Sequence, residues 1–420
     1  MMNFFVDLWY ADLVTIAALA LAGVVTIAGV LMSINVFRHE GNAGTISPKR
    51  RIHAYILVGI AIVAGAIGLR IPHVGAVWLS VHALAMIAVA SLSLYGRNTT
   101  NQLTRRFGVR VAWSACLVAL GLVIFSFNPF QFAPSTIAAQ VAFILVVLGY
   151  GVSLGIAPMH IGLSELYSKI PSPIVALVAP LSLLIGALGI FRMRELVDSI
   201  IADTGAWTGN ILVAFGLITT VILACTLLRQ HNYKKFFAEL TMFHTGVLFT
   251  FAGFGVAGTI PALIHLTLTV IMTSALFCIA GILHATYKTT KFSGVRNISA
   301  LLPFPSVLFG IVLIGALGVP VSGMFMSLMI GIGYGLQFHL VLTIMLAWSW
   351  VMVIAAVSAR LLALTRASQD DAVVLLPVRW YMSLTVLTVE CISMFVAVWW
   401  IGTPQGITFF VDAAQRIAAF

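Results

Sequence analysis

Long apolar runs follow one another along most of the chain, and short polar segments separate them. An apolar run of about 20 residues is long enough for a helix to cross the hydrocarbon core of a bilayer. A transmembrane β-barrel would instead show short segments of alternating apolar and polar residues. The pattern predicts about twelve spans, at residues 12–36, 53–69, 74–95, 111–127, 136–157, 173–191, 207–228, 236–256, 260–284, 303–332, 338–364 and 381–401. We therefore expect an all-α polytopic membrane protein.

The composition indicates the same class of protein. Hydrophobic residues make up 61% of the 420 residues and charged residues only 8%, whereas a soluble domain carries about 25% charged residues. The four cysteines are scattered singly through apolar runs, which favours buried apolar packing over a metal site or a disulfide. No phosphate-binding loop, Cys or His cluster or serine nucleophile is readable, so we expect no catalytic site in this chain.

The basic residues indicate the orientation of the spans. If the N-terminus lies outside the cytoplasm, all but four of the 22 Lys and Arg residues fall in or near cytoplasmic loops, as the positive-inside rule requires. The exceptions are Arg70, Arg192, Arg194 and Arg416. Both termini are then periplasmic, in a bacterial cytoplasmic (inner) membrane. This topology and contact with anionic lipids explain the net charge of +10 without nucleic acid.

Glycine and proline interrupt two of the predicted spans. Proline removes a helical hydrogen-bond donor, and glycine loosens the backbone. Broken spans in corresponding places of two halves are typical of inverted-repeat transporters with sites near the membrane midplane, although membrane helices also tolerate these residues generally. The interrupting residues are Gly155, Pro158, Pro171 and Pro173 around the fifth span, and Gly318, Pro320 and Gly323 in the tenth.

Four sequence blocks carry a family resemblance. The first, at 151–177, has Gly155, then Ala157-Pro158-Met159-His160, then the Pro171-Ser172-Pro173 restart. The second, at 233–246, opens with two lysines and closes with a His-Thr-Gly group; the third, at 265–281, opens with a histidine and closes with Ala-Gly. The fourth, at 318–327, has the Gly-Val-Pro break. In this order the blocks resemble the antiporter-like membrane subunits of respiratory complex I and of group 4 membrane-bound hydrogenases of the formate hydrogenlyase type.

The resemblance implies a proton-conducting axis of buried Lys, Glu and His residues, and this chain departs from it. At the matching positions stand Ser153, Phe243, Thr269, Thr273 and Leu328. None of these side chains carries a protonic charge, so we expect proton translocation in this subunit to be reduced or lost and its role to be structural coupling. The resemblance also implies N-terminal helices at 1–135, a first antiporter-like repeat at 136–256 and a second at 257–420.

Some ionisable residues remain as proton-path candidates, because such groups are costly in lipid and usually mark a pathway. They are His82, His160, Glu165, His244, His265 and Glu390. The three histidines from His160 onward match family positions, and Glu165 stands where the family has Asp. Two interpretations stay open: Glu390 is a residual proton site, a partner contact or a neutral acid bonded to a neighbouring helix, and His82 is a relay or a satisfied polar residue.

The resemblance assigns redox chemistry to other subunits. We expect no cofactor or metal in this chain, and iron–sulfur, nickel–iron or quinone sites only in partner subunits. The expected partners are other membrane subunits and peripheral redox subunits of a multi-subunit complex, together with lipids. Two alternatives remain: the membrane subunit of an inorganic-carbon uptake complex, and a stand-alone secondary transporter.

Overall fold

The order of the helices follows the order of the apolar runs. The computed structural model describes residues 20–34, 36, 47–70, 74–95, 101–126, 136–201, 206–295, 297–320, 322–365, 403–406, 408 and 411–412. Its main helices are α1 (Ala20–Ile34), α2 (Pro48–Arg70), α3 (Val74–Tyr95), α4 (Asn101–Ser126), α5 (Thr136–Leu154), α6 (Leu163–Lys169), α7 (Ser172–Ile201), α8 (Ala206–Arg229), α9 (Tyr233–Gly253), α10 (Val256–Tyr287), α11 (Ile298–Leu301), α12 (Pro303–Ala316), α13 (Gly323–Phe338) and α14 (Leu340–Thr365).

Nine helices within the described residues are long and apolar enough to cross a membrane. They are α2, α3, α4, α5, α7, α8, α9, α10 and α14, and each corresponds to one predicted span. The first predicted span is described only in part, as α1, and the tenth is divided between α12 and α13. The twelfth, at 381–401, lies outside the described residues. The described residues therefore confirm an all-helical, multi-pass membrane protein.

Several helices run beyond their apolar segments. Helix α4 starts at Asn101, ten residues before the predicted span, and α7 continues to Ile201. Apolarity marks only the part of a helix that lies in lipid, whereas helical hydrogen bonding continues into polar sequence. In the extension of α7, the Nε atom of Arg194 lies 3.2 Å from Oδ2 of Asp198, one helical turn away, and this spacing supports the helix.

The first break separates α5 from α7. Helix α5 ends at Leu154, and Gly155 has a φ of 74°, which an L side chain rarely adopts. Pro158 lies in the loop that leads to α6. Pro171 precedes α7, and Pro173 is its second residue, where a missing N–H costs no helical hydrogen bond.

The second break separates α12 from α13 and is shorter. Helix α12 ends at Ala316, and Gly318 has a φ of 66°. Pro320 follows in an exposed turn. Ser322 then caps α13, which begins at Gly323, because its hydroxyl accepts a hydrogen bond from the amide of Phe325 at 3.3 Å.

Three helices form the centre of the bundle. Helices α7, α9 and α10 are buried along nearly all of their length, whereas fewer than half of the residues in α2, α4 and α14 are buried. Trp113 on α4 and Trp348 on α14 are among the exposed aromatic side chains. Large exposed apolar side chains on the outer helices are expected where a protein faces lipid or neighbouring membrane subunits, so polar groups with an internal role are to be sought on the buried helices.

Candidate functional site

Two histidines on the central helices contact each other. His244 on α9 and His265 on α10 are fully buried, and Nδ1 of His244 lies 3.2 Å from Nε2 of His265. Nδ1 of His265 lies 3.1 Å from Oγ of Ser327 on α13. The Ser327 hydroxyl donates to the Pro261 carbonyl at 2.9 Å. The histidine cluster, defined as His244, His265 and Ser327, therefore links three helices.

The serine fixes the direction of the hydrogen bonds in this cluster. Its single proton goes to Pro261, so its oxygen accepts from Nδ1–H of His265. The Nε2 atom of neutral His265 then accepts from Nδ1–H of His244. The remaining nitrogen, Nε2 of His244, is buried without a hydrogen-bond partner among the described residues. The hydrogen bonds of the cluster thus orient two neutral imidazoles. The chain of bonds ends at Nε2 of His244, whose lone pair has no donor among the described residues.

Aromatic side chains enclose the cluster. The ring of Trp350 lies 5.4 Å from the ring of His244 and 5.3 Å from that of Phe243. The ring of Phe251 lies edge-on to His265 at 5.9 Å. The indole N–H of Trp350 donates to the Leu317 carbonyl at 2.9 Å, which fixes the tryptophan next to the second break. The surroundings of the two imidazoles are therefore apolar.

Threonine hydroxyls continue the polar face of α10 beyond His265. The Thr269 hydroxyl donates to the His265 carbonyl at 2.7 Å. The Thr273 hydroxyl lies 2.7 Å from the Thr269 carbonyl and 3.2 Å from the Thr241 hydroxyl of α9. Thr269 and Thr273 occupy two of the positions at which the family resemblance implies ionisable residues, and both bond to their own helix.

The other matching positions are filled by packed or unpaired groups. Phe243 packs against Trp350, as described above, and Leu328 is buried on α13. Ser153 is buried in the last turn of α5, and its hydroxyl has no hydrogen-bond partner among the described residues.

The structure does not bring all sequence candidates together. His160 lies in the first break, with Nδ1 buried and unpaired among the described residues, and Glu165 is exposed on α6. His82 belongs to a separate cluster on α3. Glu390 lies outside the described residues.

His82 bonds to two neighbouring groups in the first half of the chain. Its Nδ1 atom lies 2.8 Å from the Trp78 carbonyl, and its Nε2 atom lies 3.0 Å from the Ser114 hydroxyl of α4. That hydroxyl donates to the Gly149 carbonyl of α5 at 2.6 Å. Sequence reasoning missed Ser114 and Ser327 as partners, because a serine in an apolar run gives no signal until the facing helix is known.

A further ionisable side chain is buried near the start of α9. Glu239 accepts a hydrogen bond from the side-chain amide of Gln230 at 2.7 Å through Oε1, and its Oε2 atom is unpaired among the described residues. No group of three or more His, Cys, Asp or Glu side chains that could hold a metal ion occurs within the described residues. The described interior offers groups for hydrogen bonding and proton binding.

Comparison with known proteins identifies the family of this chain. A family described as NADH:quinone oxidoreductase/Mrp antiporter, TM, matches residues 110–362, more than half of the chain. The Hydrogenase-4 component F homolog of Methylacidiphilum infernorum is 21% identical over 337 residues, which cover 75% of this chain and 70% of that protein. NAD(P)H-quinone oxidoreductase chain 4 1 of a Picosynechococcus species is 25% identical over 182 residues, or 43% of this chain and 34% of that protein.

Solved structures share the fold at low sequence identity. A chain of the membrane-bound sulfane sulfur reductase, an archaeal respiratory membrane complex, has a TM-score of 0.74 and 16% identity, with 89% of this chain and 79% of that chain covered. A chain of the Mrp complex from Dietzia sp. has a TM-score of 0.75 and 13% identity, with 95% and 83% covered. Both are chains of multi-subunit membrane complexes.

Proposed function

Because the chain belongs to the NADH:quinone oxidoreductase/Mrp antiporter transmembrane family, we propose that it is an antiporter-like membrane subunit of a complex I-related or group 4 hydrogenase-like redox complex in which it conducts few protons or none. Its role is then to hold and couple neighbouring subunits. The family membership carries the first part of this proposal, and the residues on the polar axis support the second.

The observation that supports reduced proton conduction is the character of the axis positions. Phe243 packs on Trp350, and Thr273 bonds to its own helix through the Thr269 carbonyl. The buried Lys, Glu and His residues of the family axis can each hold a protonic charge, and neither of these side chains can. The histidine cluster is enclosed by aromatic rings, so proton exchange with water at His244 requires an opening of this packing.

The assembly that we propose follows the sequence-based topology. Twelve spans place both termini in the periplasm of a bacterial inner membrane, and the two antiporter-like repeats at 136–256 and 257–420 are inverted with respect to each other. Peripheral redox subunits carry iron–sulfur, nickel–iron or quinone sites, and this chain carries no cofactor. Lipids cover the exposed faces of α2, α4 and α14 that partner subunits leave free. A reporter enzyme active only in the periplasm should be inactive when it is inserted in the 38–51 loop.

The test of lost proton conduction uses the complex purified through a tag on this chain. We expect the variants Glu239→Gln, His244→Gln and Glu390→Gln to retain both electron transfer and proton translocation after reconstitution in liposomes. The two activities are measured together, as acceptor reduction and as quenching of a pH-sensitive dye. A variant that keeps electron transfer and complex assembly but loses translocation contradicts the proposal.

The composition of the same purified complex tests the type of assembly. Mass spectrometry should find iron–sulfur subunits and a hydrogenase-like or quinone-reducing subunit. A large soluble zinc protein in their place would identify an inorganic-carbon uptake complex. A chain that purifies alone and moves a solute would identify a stand-alone secondary transporter.

A further inference from the structure

The hydrogen bonds around His82 cannot all be satisfied while its imidazole is neutral. The Trp78 carbonyl is only an acceptor, so Nδ1 of His82 carries a proton. On the other side, the Ser114 hydroxyl has one proton and lies 2.6 Å from the Gly149 carbonyl, against 3.0 Å from Nε2 of His82. If the serine donates to Gly149, its lone pair faces the lone pair of a neutral Nε2.

A second proton on His82 removes this conflict. Nε2–H then donates to the Ser114 oxygen, Ser114 donates to Gly149, and Nδ1–H donates to Trp78. In the neutral state, Ser114 has to turn its proton from Gly149 toward Nε2 to pair the histidine. The protonation state of His82 therefore sets which acceptor Ser114 serves.

We propose that the His82 switch, defined as His82, Ser114 and the Gly149 carbonyl, binds one proton and transmits its presence to the end of α5. Gly149 lies in the last two turns before the first break, which begins after Leu154. The two helices touch there at backbone level, because a Cβ atom on Gly149 would lie 2.9 Å from the Ser114 carbonyl oxygen. A change in the hydrogen bonding of Ser114 therefore acts directly on the segment of α5 that precedes the break.

The surroundings of His82 indicate how a proton reaches it. The ring of Tyr150 lies 6.1 Å from the ring of His82, and its hydroxyl is buried and unpaired among the described residues. A Cβ atom on Gly189 would lie 3.1 Å from the Tyr150 ring, so the tyrosine lies against α7. One turn later on α7 is Arg192, whose Nη1 atom is also buried and unpaired among the described residues.

Unpaired buried donors of this kind are usually satisfied by internal water. The row of His82, Tyr150 and Arg192 leads toward the end of α7 that carries Glu195, which interacts electrostatically with Arg192. The other charged groups on the helices packed against α3 are exposed, lie near helix ends or are paired. On α2 they are Lys49, Arg50, Arg51, His53 and Arg70, on α4 Arg105 and Arg106, and on α6 Glu165 and Lys169. Arg110 of α4 donates to the Ile161 carbonyl, and Arg194 of α7 pairs with Asp198. Water at the C-terminal end of α7 therefore supplies the proton.

Solid-state NMR of the full chain in liposomes, with ¹⁵N-labelled histidine, tests the switch. The signals of His82 are assigned by their loss in His82→Gln. We expect native His82 to gain a second N–H resonance as the pH falls from 8 to 5, and we expect Ser114→Ala to lose that second resonance over the same range. Tyr150→Phe should slow the exchange of the His82 N–H protons with deuterated water.

The matched control is Ser91→Ala, which removes another buried serine, one that bonds to the Ile87 carbonyl of α3. It should titrate like the native protein, which separates loss of the Ser114 contact from general loosening of the helices. A native His82 that keeps one N–H down to pH 5, or an S114A variant that titrates like the native protein, overturns the proposal. This inference does not depend on the redox complex or on lost proton translocation, since it is read in the isolated chain.

Discussion

The two halves of the molecule use the same backbone device but fill their interiors differently. Each has a broken helix with a glycine at positive φ, Gly155 in the first and Gly318 in the second. A Cβ atom on Gly155 would meet the middle of the Met242 side chain, and one on Gly318 would meet the end of Leu328. Both breaks are therefore packed against the bundle, although what surrounds them differs in polarity.

The first break is held by polar contacts. The amide of Ala157 donates to the Thr219 hydroxyl at 2.8 Å, and Arg110 donates to the Ile161 carbonyl. Unpaired polar atoms remain nearby, including the Ser153 hydroxyl. Around the second break, the Trp350 indole binds the Leu317 carbonyl, and aromatic rings close over the histidine cluster. The histidine cluster is thus enclosed by aromatic rings and has one unpaired nitrogen, Nε2 of His244, whereas the first half has several buried unpaired groups around its break and on α7 that can take up water or protons.

The difference between the two halves is tested most strongly by replacing one histidine in each half with alanine. His265→Ala leaves Nδ1–H of His244 without an acceptor, while Ser327 still donates to the Pro261 carbonyl. The unpaired buried donor costs about 1–3 kcal/mol in addition to the cavity. We expect a loss of about 3–6 kcal/mol in the free energy of unfolding. His82→Ala leaves no new unpaired group, because Ser114 still bonds to Gly149, and should cost roughly half as much.

Unfolding of the purified variants in one detergent, followed by tryptophan fluorescence, measures both losses. His244→Ala provides the internal control. It leaves Nε2 of His265 without a donor but also removes the unpaired Nε2 of His244, so its loss should fall between the other two. If H82A were as destabilising as H265A, the two halves would not differ in how tightly their buried polar groups are enclosed.

Gly155→Ala should have the next largest effect. An L side chain at positive φ costs about 1–2 kcal/mol, and the new Cβ atom would lie 2.3 Å from the Cγ and Sδ atoms of Met242. Displacing a buried side chain costs about 1–3 kcal/mol more, so we expect a loss of about 2–5 kcal/mol. The control is Gly310→Ala in α12, where a Cβ atom meets nothing within 4 Å and helix propensity favours alanine by up to about 1 kcal/mol.

The sequence predicts this fold well because lipid requires backbone hydrogen bonds to be closed within each helix. Apolar runs therefore locate the spans, and Gly and Pro locate the places where helices end. The predicted spans of α4 and α7 are shorter than the helices themselves, because polar residues continue a helix beyond its apolar segment. The inverted repeat and the periplasmic location of both termini remain predictions from the sequence.

The candidate site was less predictable than the fold. His244 and His265 were found from the sequence, but their contact depends on the rotation of α9 against α10, which no pattern in one helix encodes. Ser327 and Ser114 were missed for the same reason, since a hydroxyl in a membrane helix usually bonds to its own backbone. Their roles follow only from the helices that they face, α10 and α3.

A smaller effect is expected at the second break. Gly318→Ala has the same backbone cost of about 1–2 kcal/mol, but the new Cβ atom would lie 2.4 Å from Cδ1 of Leu328, the mobile end of a side chain. Leu328 can turn away, so we expect a total loss of about 1–3 kcal/mol, less than for G155A. The shift in melting temperature under the same conditions measures it. A loss that exceeds that of G155A would mean that the second break is the more rigid of the two.

The smallest effect is expected from the hydroxyls that stand on the polar axis. Thr273→Val keeps the shape of the side chain and removes its hydroxyl. The Thr269 carbonyl keeps its helical partner, and Thr241 still donates to the Phe237 carbonyl, so no buried group is left unpaired. The change in the free energy of unfolding should stay within about 1 kcal/mol. Ser114→Ala removes a hydroxyl in the first half and leaves Nε2 of His82 unpaired, so it should cost more than T273V. If the two variants lost the same free energy of unfolding, the Thr273 hydroxyl would have to pair a group that the described contacts do not include.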